Sequence, residues 1–169
     1  MNMTDFFAAQ LDREAVITRR ALERVPEGRS DWKPHEKSMA LGRLANLVAS
    51  MPSWIGMIVD QNELNLNPPG GSTYKQPELR TGRELADAHD GHVAKARKVL
   101  ASTSDEQLMK PWKLLVGEKV VSEQPRHVVL ADTFAHLAHH RGQLTVYLRL
   151  VEVSVPSIYG PSADDTRWD

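Results

Sequence analysis

Apolar residues recur at helical spacing in four stretches of the chain. From about Asp5 to Arg24, Phe7, Leu11, Ala15, Thr18 and Leu22 return at steps of three and four, the spacing of one helix face. Thr4 is the expected N-cap, and Pro26-Glu27-Gly28 the expected stop. From about Met39 to Gln61, Leu41, Leu44, Val48, Met51, Ile55 and Ile58 form the seam of a bundle helix, with Ser38 as its expected cap. Pro52 falls inside that pattern. An interior proline removes one backbone hydrogen bond and crowds the preceding turn, so a kink is predicted there.

The segment Asn62 to Gln76 is rich in Asn, Pro and Gly and reads as a long loop. Thr81-Gly82-Arg83-Glu84 has the form of a capping box and predicts a helix over 82–101. Leu85, Ala88, Ala96 and Val99 give that helix its apolar face, and His89 and His92 fall on the same stripe. In Asp105 to Gln124, Trp112, Leu114 and Val116 alternate before Gly117-Glu118, which predicts a loop or a short β-hairpin near 112–121. A last helix is predicted over 126–151, with Val129, Thr133, Leu137, Leu144, Tyr147, Leu148 and Val151 on one face. The tail, 152–169, reads as irregular. The expected fold is all-α: a four-helix bundle with long crossover connections, forming a single domain over 1–169.

Composition narrows the chemistry. The chain has 169 residues, with 21 basic and 22 acidic side chains and no cysteine. A thiol nucleophile, a disulfide framework and a cysteine metal site are excluded, so any metal must sit on His, Asp or Glu. The balanced charge argues against a nucleic-acid partner. No apolar run approaches the ~20 residues that span a bilayer, and the first ten residues lack a signal-peptide pattern. The expected location is the cytoplasm, with no membrane partner.

The densest polar signal is His136-Leu-Ala-His139-His140-Arg141-Gly142-Gln143. His136 and His140 lie one turn apart within the apolar stripe, and two imidazoles so placed can chelate a divalent metal. Buried histidines that hydrogen-bond to other core groups have the same pattern. Leu137 stands where a zincin carries its glutamate base, so metalloprotease chemistry has no support.

Several segments resemble the DinB-like (YfiT-like) superfamily of bacterial four-helix proteins. They are Trp32 to Met39, Leu44-Ala45, Pro52-Ser53-Trp54, the run HLAHHRGQLTVYLR from His136 to Arg149, and Val155 to Asp164. The resemblance implies a four-helix bundle, often a homodimer, holding a divalent metal such as zinc or nickel on three histidines. One of the three is on the second helix and two are on the fourth. It also implies a transferase or hydrolase that uses a low-molecular-weight thiol or acts on a small electrophile.

The fourth-helix pair corresponds to His136 and His140. The second-helix histidine does not carry over: the family pattern reads roughly Leu-Ala-x-His-Val-Ala, and this chain has Leu44-Ala45-Asn46-Leu47-Val48-Ala49. Leu47 takes the ligand position. Asn46 is expected on the solvent side, unable to substitute. Three readings stay open: a metal-free pocket, a weak two-histidine metal site, or a compensating ligand from His92, His89 or Glu14.

Other residues carry two readings each. Trp54, Trp112, Leu47, Gln143 and Tyr147 are candidate pocket residues, while aromatics at such spacing are usually core. Arg141 and Gln143 either orient the histidines or a substrate, or make structural contacts. Two function classes follow: a metal-dependent enzyme with a degenerate site, and a non-catalytic binding or interaction module that keeps the bundle and pocket. Leu47 favours the second.

Overall fold

The computed structural model describes residues 2–71 and 78–168. Six helices and one small sheet follow in the order α1 (Met3–Leu22), α2 (Leu41–Ser50), α3 (Ser53–Asp60), β1 (Glu63–Asn65), α4 (Gly82–Ser102), α5 (Asp105–Met109), β2 (Pro111–Val116), β3 (Lys119–Pro125) and α6 (Arg126–Leu150). The protein is mostly helical, but the all-α expectation needs correction on two counts. The sheet has three strands, and six helices replace the predicted four: the second predicted helix is two helices, and α5 forms at the start of the segment read as loop or hairpin.

Pro52 explains the second point. With no N–H to donate, it interrupts the ladder, and α3 restarts at Ser53. The start of α2 also differs from the sequence reading. Its N-cap is Ala40, not Ser38. Its first amides are satisfied by the preceding loop instead: Leu41 N–H donates to the Trp32 carbonyl (2.8 Å) and Gly42 N–H to that of Ser30 (2.9 Å). Gly42 is required by this contact, because a Cβ there would lie 2.9 Å from Ser30 Cβ.

The start of α1 shifts in the same way. Asn2, not Thr4, is the N-cap and accepts from Asp5 N–H (2.8 Å). The Asp105 carboxylate accepts from Met3 N–H (3.0 Å) and ties this end to α5. In α4 the capping box forms as expected, with Glu84 N–H donating to Thr81 Oγ1 (3.1 Å) and Thr81 N–H to Glu84 Oε2 (3.0 Å).

The hairpin of β2 and β3 is antiparallel, with a bulge between Leu114 and Leu115 and a turn at Gly117. It is longer than expected, and β1 adds a parallel strand that pairs Glu63 with Lys113 and Asn65 with Leu115. Thus part of the predicted 62–76 loop is a strand, and positions 72–76 of it lie outside the described residues. The tail after Leu150 contains no helix or strand through residue 168, as expected.

Two apolar clusters fill the core. One joins the first half of α1 (Phe7, Leu11) to α3, the second half of α4 and the first half of α6 (Leu130, Phe134). The other joins the end of α1 to α2, the start of α4 (Leu85) and the second half of α6 (Leu137, Leu144, Leu148). Trp54 packs against both. Hence α1 and α6 run one way, while α2, α3 and α4 run the other. α3 therefore ends, and α4 begins, at opposite ends of the two clusters.

Candidate functional site

α6 packs against both α2 and α3. On this helix His136 and His140 come together, with their Nε2 atoms 2.8 Å apart. The sequence placed both within the apolar stripe; His140 is buried, but His136 is exposed at the solvent edge. The His140 Nδ1 lies 2.8 Å from Gln143 Oε1, one turn further on. An amide oxygen only accepts, so His140 carries its hydrogen on Nδ1 and turns the lone pair of Nε2 toward His136.

The ring of Trp54 on α3 meets the His136 ring edge-on, with centroids 5.4 Å apart. Partial burial, with help from the neighbouring imidazoles of His140 and then His139, holds the His136 pKa below the usual histidine value. His136 is therefore biased toward the neutral form that ligates metals.

The other candidate residues are placed as follows. Leu47 is half-buried on α2 and packs against the cluster that contains Leu137 and Leu144. Tyr147 is a clamp: its hydroxyl donates to the Met39 carbonyl (3.3 Å), and its ring meets Trp32 edge-on. Trp112 is buried in the core.

Asn46 is not on the solvent side. It is buried, and its Nδ2 donates to the carbonyls of Gly42 and Leu79 (both 2.9 Å) while Oδ1 accepts from Leu79 N–H (3.2 Å). The segment before α4 folds over the outer side of α2, which the helical projection of α2 alone could not show.

Of the three possible compensating ligands, Glu14 is committed elsewhere. It is buried in an ion pair with Arg141, at 2.7 Å, and accepts from Tyr159 (2.9 Å) and Gln10 (3.0 Å). Arg141 also donates to Thr18 Oγ1 (2.7 Å). Arg141 is thus a structural partner of α1, and Gln143 is the residue that orients a histidine. His89 and His92 lie on α4, which packs chiefly on α1, α3 and α2. Among the described residues, no group of three or more His, Cys, Asp or Glu side chains is placed to hold a metal.

His89 is fully buried, and among the described residues neither ring nitrogen has a hydrogen-bond partner, the Asp90 carboxylate lying 3.6 Å from Nδ1. Burial pushes its pKa down to about 4, against a partial opposing pull from Asp90. The unfolded chain protonates near 6.5 and the folded chain near 4, so the unfolded state binds more protons between those values. Stability therefore falls as pH drops through that window, by about 3 kcal/mol for this group. His89→Leu removes both the titration and the orphaned nitrogens. Denaturant melts between pH 4 and 7 should show a wild-type slope that the variant lacks; parallel slopes would count against it.

Arg126 escaped the sequence reading. Buried at the start of α6, it donates to the carbonyls of Pro111 (2.7 Å) and Gln61 (3.0 Å) and to Asn62 Oδ1 (2.8 Å), pinning the sheet to the helix. No motif marks it; only its place at the strand–helix junction does.

These features define a mostly helical protein with a small sheet and an oriented histidine pair on its longest helix. The model of the DinB family matches residues 1–168, and the chain belongs to that family. It is 26% identical over 163 residues to the uncharacterized protein YrdA of Bacillus subtilis (strain 168), covering 95% of this chain and 90% of that protein. Its fold is similar to the crystal structure of a DinB-like protein from Bacillus cereus ATCC 10987, with TM-score 0.71 and 20% identity over 90% of this chain and 95% of that one. A DinB-like protein of Bacillus subtilis, YjoA, matches with TM-score 0.65 and 17% identity over 88% of this chain and 92% of that one. No helix among the described residues is long and apolar enough to cross a membrane.

Proposed function

We propose that His136 and His140 form a weak, two-nitrogen site for a divalent metal, zinc or nickel. On this reading the protein is a cytoplasmic binding member of its family, taking a small thiol or electrophile, and not a competent metal-dependent thiol transferase or hydrolase. One observation carries the reading: two imidazole Nε2 atoms converge at 2.8 Å, and Gln143 fixes the tautomer of the buried one. Neutral imidazoles oriented by a second hydrogen bond suit borderline metals such as zinc and nickel.

The weakness follows from the third position. Leu47 offers no donor atom, and Glu14 is held by Arg141. Catalytic zinc sites generally use three protein ligands. A metal bound here would supply Lewis acidity to a coordinated water or thiol. The chain's own residues fix the imidazoles: Gln143 holds the Nδ1 proton of His140, and Trp54 backs His136.

Calorimetric titration of the untagged protein with zinc and with nickel tests the reading. Weak binding of one metal per chain is expected. It should disappear in His140→Ala and fall roughly 10–100-fold in Gln143→Leu, the cost of losing an orienting partner. Metal retained stoichiometrically through purification would overturn the weak-site reading, and no binding at millimolar metal would overturn the site.

A further inference from the structure

The end of α1 is densely basic. Arg19, Arg20 and Arg24 fall within six residues, and the tail returns to place Arg167 beside them. These four side chains line one cleft of about 370 Å³ between α1 and the tail. That volume lies within the range of small-molecule sites, about 300–1,000 Å³. Among the described residues, Glu23 is the one carboxylate on its wall, and it is bonded to Arg19. Val16 and Pro156 add an apolar side.

Basic residues in the last turn of a helix ordinarily complement its dipole. Arg19 and Arg20 stand in that turn, but Arg24 lies beyond the C-cap, Glu23. The final carbonyls of α1 have another neighbour. Those of Leu22 and Glu23 abut Gly82 of α4, where a Cβ would lie 2.9 and 2.7 Å from their oxygens. Capping of α1 therefore does not account for Arg24 or Arg167.

Among the described residues Arg24 has no ion pair. It donates to the Ser154 hydroxyl (2.9 Å), a neutral partner. Asp164, whose carboxyl feels the Arg24 charge, is bonded to Arg149 instead. Arg19 bonds Asp90 (3.0 Å) as well as Glu23, and Arg167 bonds Asp165 (2.6 Å). Arg20 and Arg167 make further contacts within the chain. A guanidinium carries five N–H groups, so a first partner leaves donors for a second acceptor. Four cations around one cleft also repel one another, and an anion shared among them relieves that repulsion.

We infer that this cleft binds a small organic phosphate, with its anionic oxygens on Arg20, Arg24 and Arg167 and its carbon part against Val16 and Pro156. Arginine forks match phosphate oxygens two at a time. A phosphate ester carries close to two charges and three strong acceptor oxygens on one centre, so it serves several guanidinium groups at once; a single carboxylate has two oxygens and one charge. The cleft shares no residue with the histidine pair, and the inference does not rest on metal binding. A ligand held there ties the tail to α1, because the walls come from both.

Calorimetric titration of metal-free protein with inorganic pyrophosphate at physiological salt tests the inference, with circular dichroism as the check on folding. One pyrophosphate per chain should bind with submillimolar affinity, and orthophosphate more weakly. Arg24→Gln and Arg167→Gln should each weaken pyrophosphate about tenfold or more, the usual cost of losing a hydrogen bond to a charged group. The two lie on different segments, so one remains informative if the other disturbs the fold. Arg97→Gln, bonded to Asp12 at the other half of α1, should leave the affinity unchanged. His140→Ala should leave it unchanged as well. No binding at millimolar pyrophosphate would overturn the inference. So would binding that both cleft variants leave intact, or that Arg97→Gln weakens equally, which is the behaviour of diffuse charge attraction. Loss of binding in His140→Ala would put the anion on the histidine pair and overturn the cleft.

Discussion

Leu47→His is expected to raise the affinity for zinc and nickel by orders of magnitude. Leu47 sits on α2, which packs against α6, and it borders the apolar cluster to which Leu137 and Leu144 of that helix belong. The family resemblance puts position 47 where the third histidine belongs, so a histidine there is expected to complete the pair. The substitution nearly conserves volume at a half-buried position, so the packing loss is small beside the gain of a third imidazole. Three protein nitrogens plus one open position is a common arrangement of catalytic zinc. Titration of wild type and variant with both metals reads the effect directly. Thermal melts give a second readout, because a ligand at one hundred times its Kd adds about 2.7 kcal/mol to stability. A variant that binds no more tightly than wild type would mean that Leu47 does not occupy the missing ligand position. If the variant also gains activity on a thiol substrate that the wild type lacks, the difference traces to this one residue.

The histidine pair was legible because its geometry is local. Residues four apart on one helix must lie on adjacent turns, and Gln143, three beyond His140, must lie within reach of it. The capping box of α4 was legible for the same reason. What escaped depends on contacts between distant segments. The cap of α2 could not be read because its amides are served by carbonyls of Ser30 and Trp32, well before the helix. β1 has only three residues, and its strand character comes from pairing with β2 far along the chain. Asn46 was misplaced because its partner, the Leu79 backbone, arrives from outside the helix whose projection assigned it to solvent. Pro52 is intermediate: its disruption was legible, but not that a full helix would restart at the next residue.

The largest stability effect is expected at Glu14 and Arg141. Both side chains are almost fully buried, and the pair joins the middle of α1 to the middle of α6. Removing one partner leaves a charge in the interior without its counter-ion, which costs about 3–5 kcal/mol. Total stabilities of such domains are about 5–15 kcal/mol, so Glu14→Leu alone should lower the melting temperature by roughly 6–20 °C. The double variant Glu14→Leu/Arg141→Met buries no charge and fills similar volume. It should therefore lie much closer to wild type than either single variant. Tyr159→Phe removes one hydrogen bond to the Glu14 carboxylate and another from Arg141, and should cost about 1–3 kcal/mol. This ordering separates a buried pair from a ligand. If Glu14 instead supplied the missing metal ligand, Glu14→Leu would abolish metal binding, and the double variant would not recover it. Measured together, melting temperature and zinc affinity across these variants should show stability moving by several kcal/mol while affinity for the pair His136 and His140 stays level in every variant that remains folded.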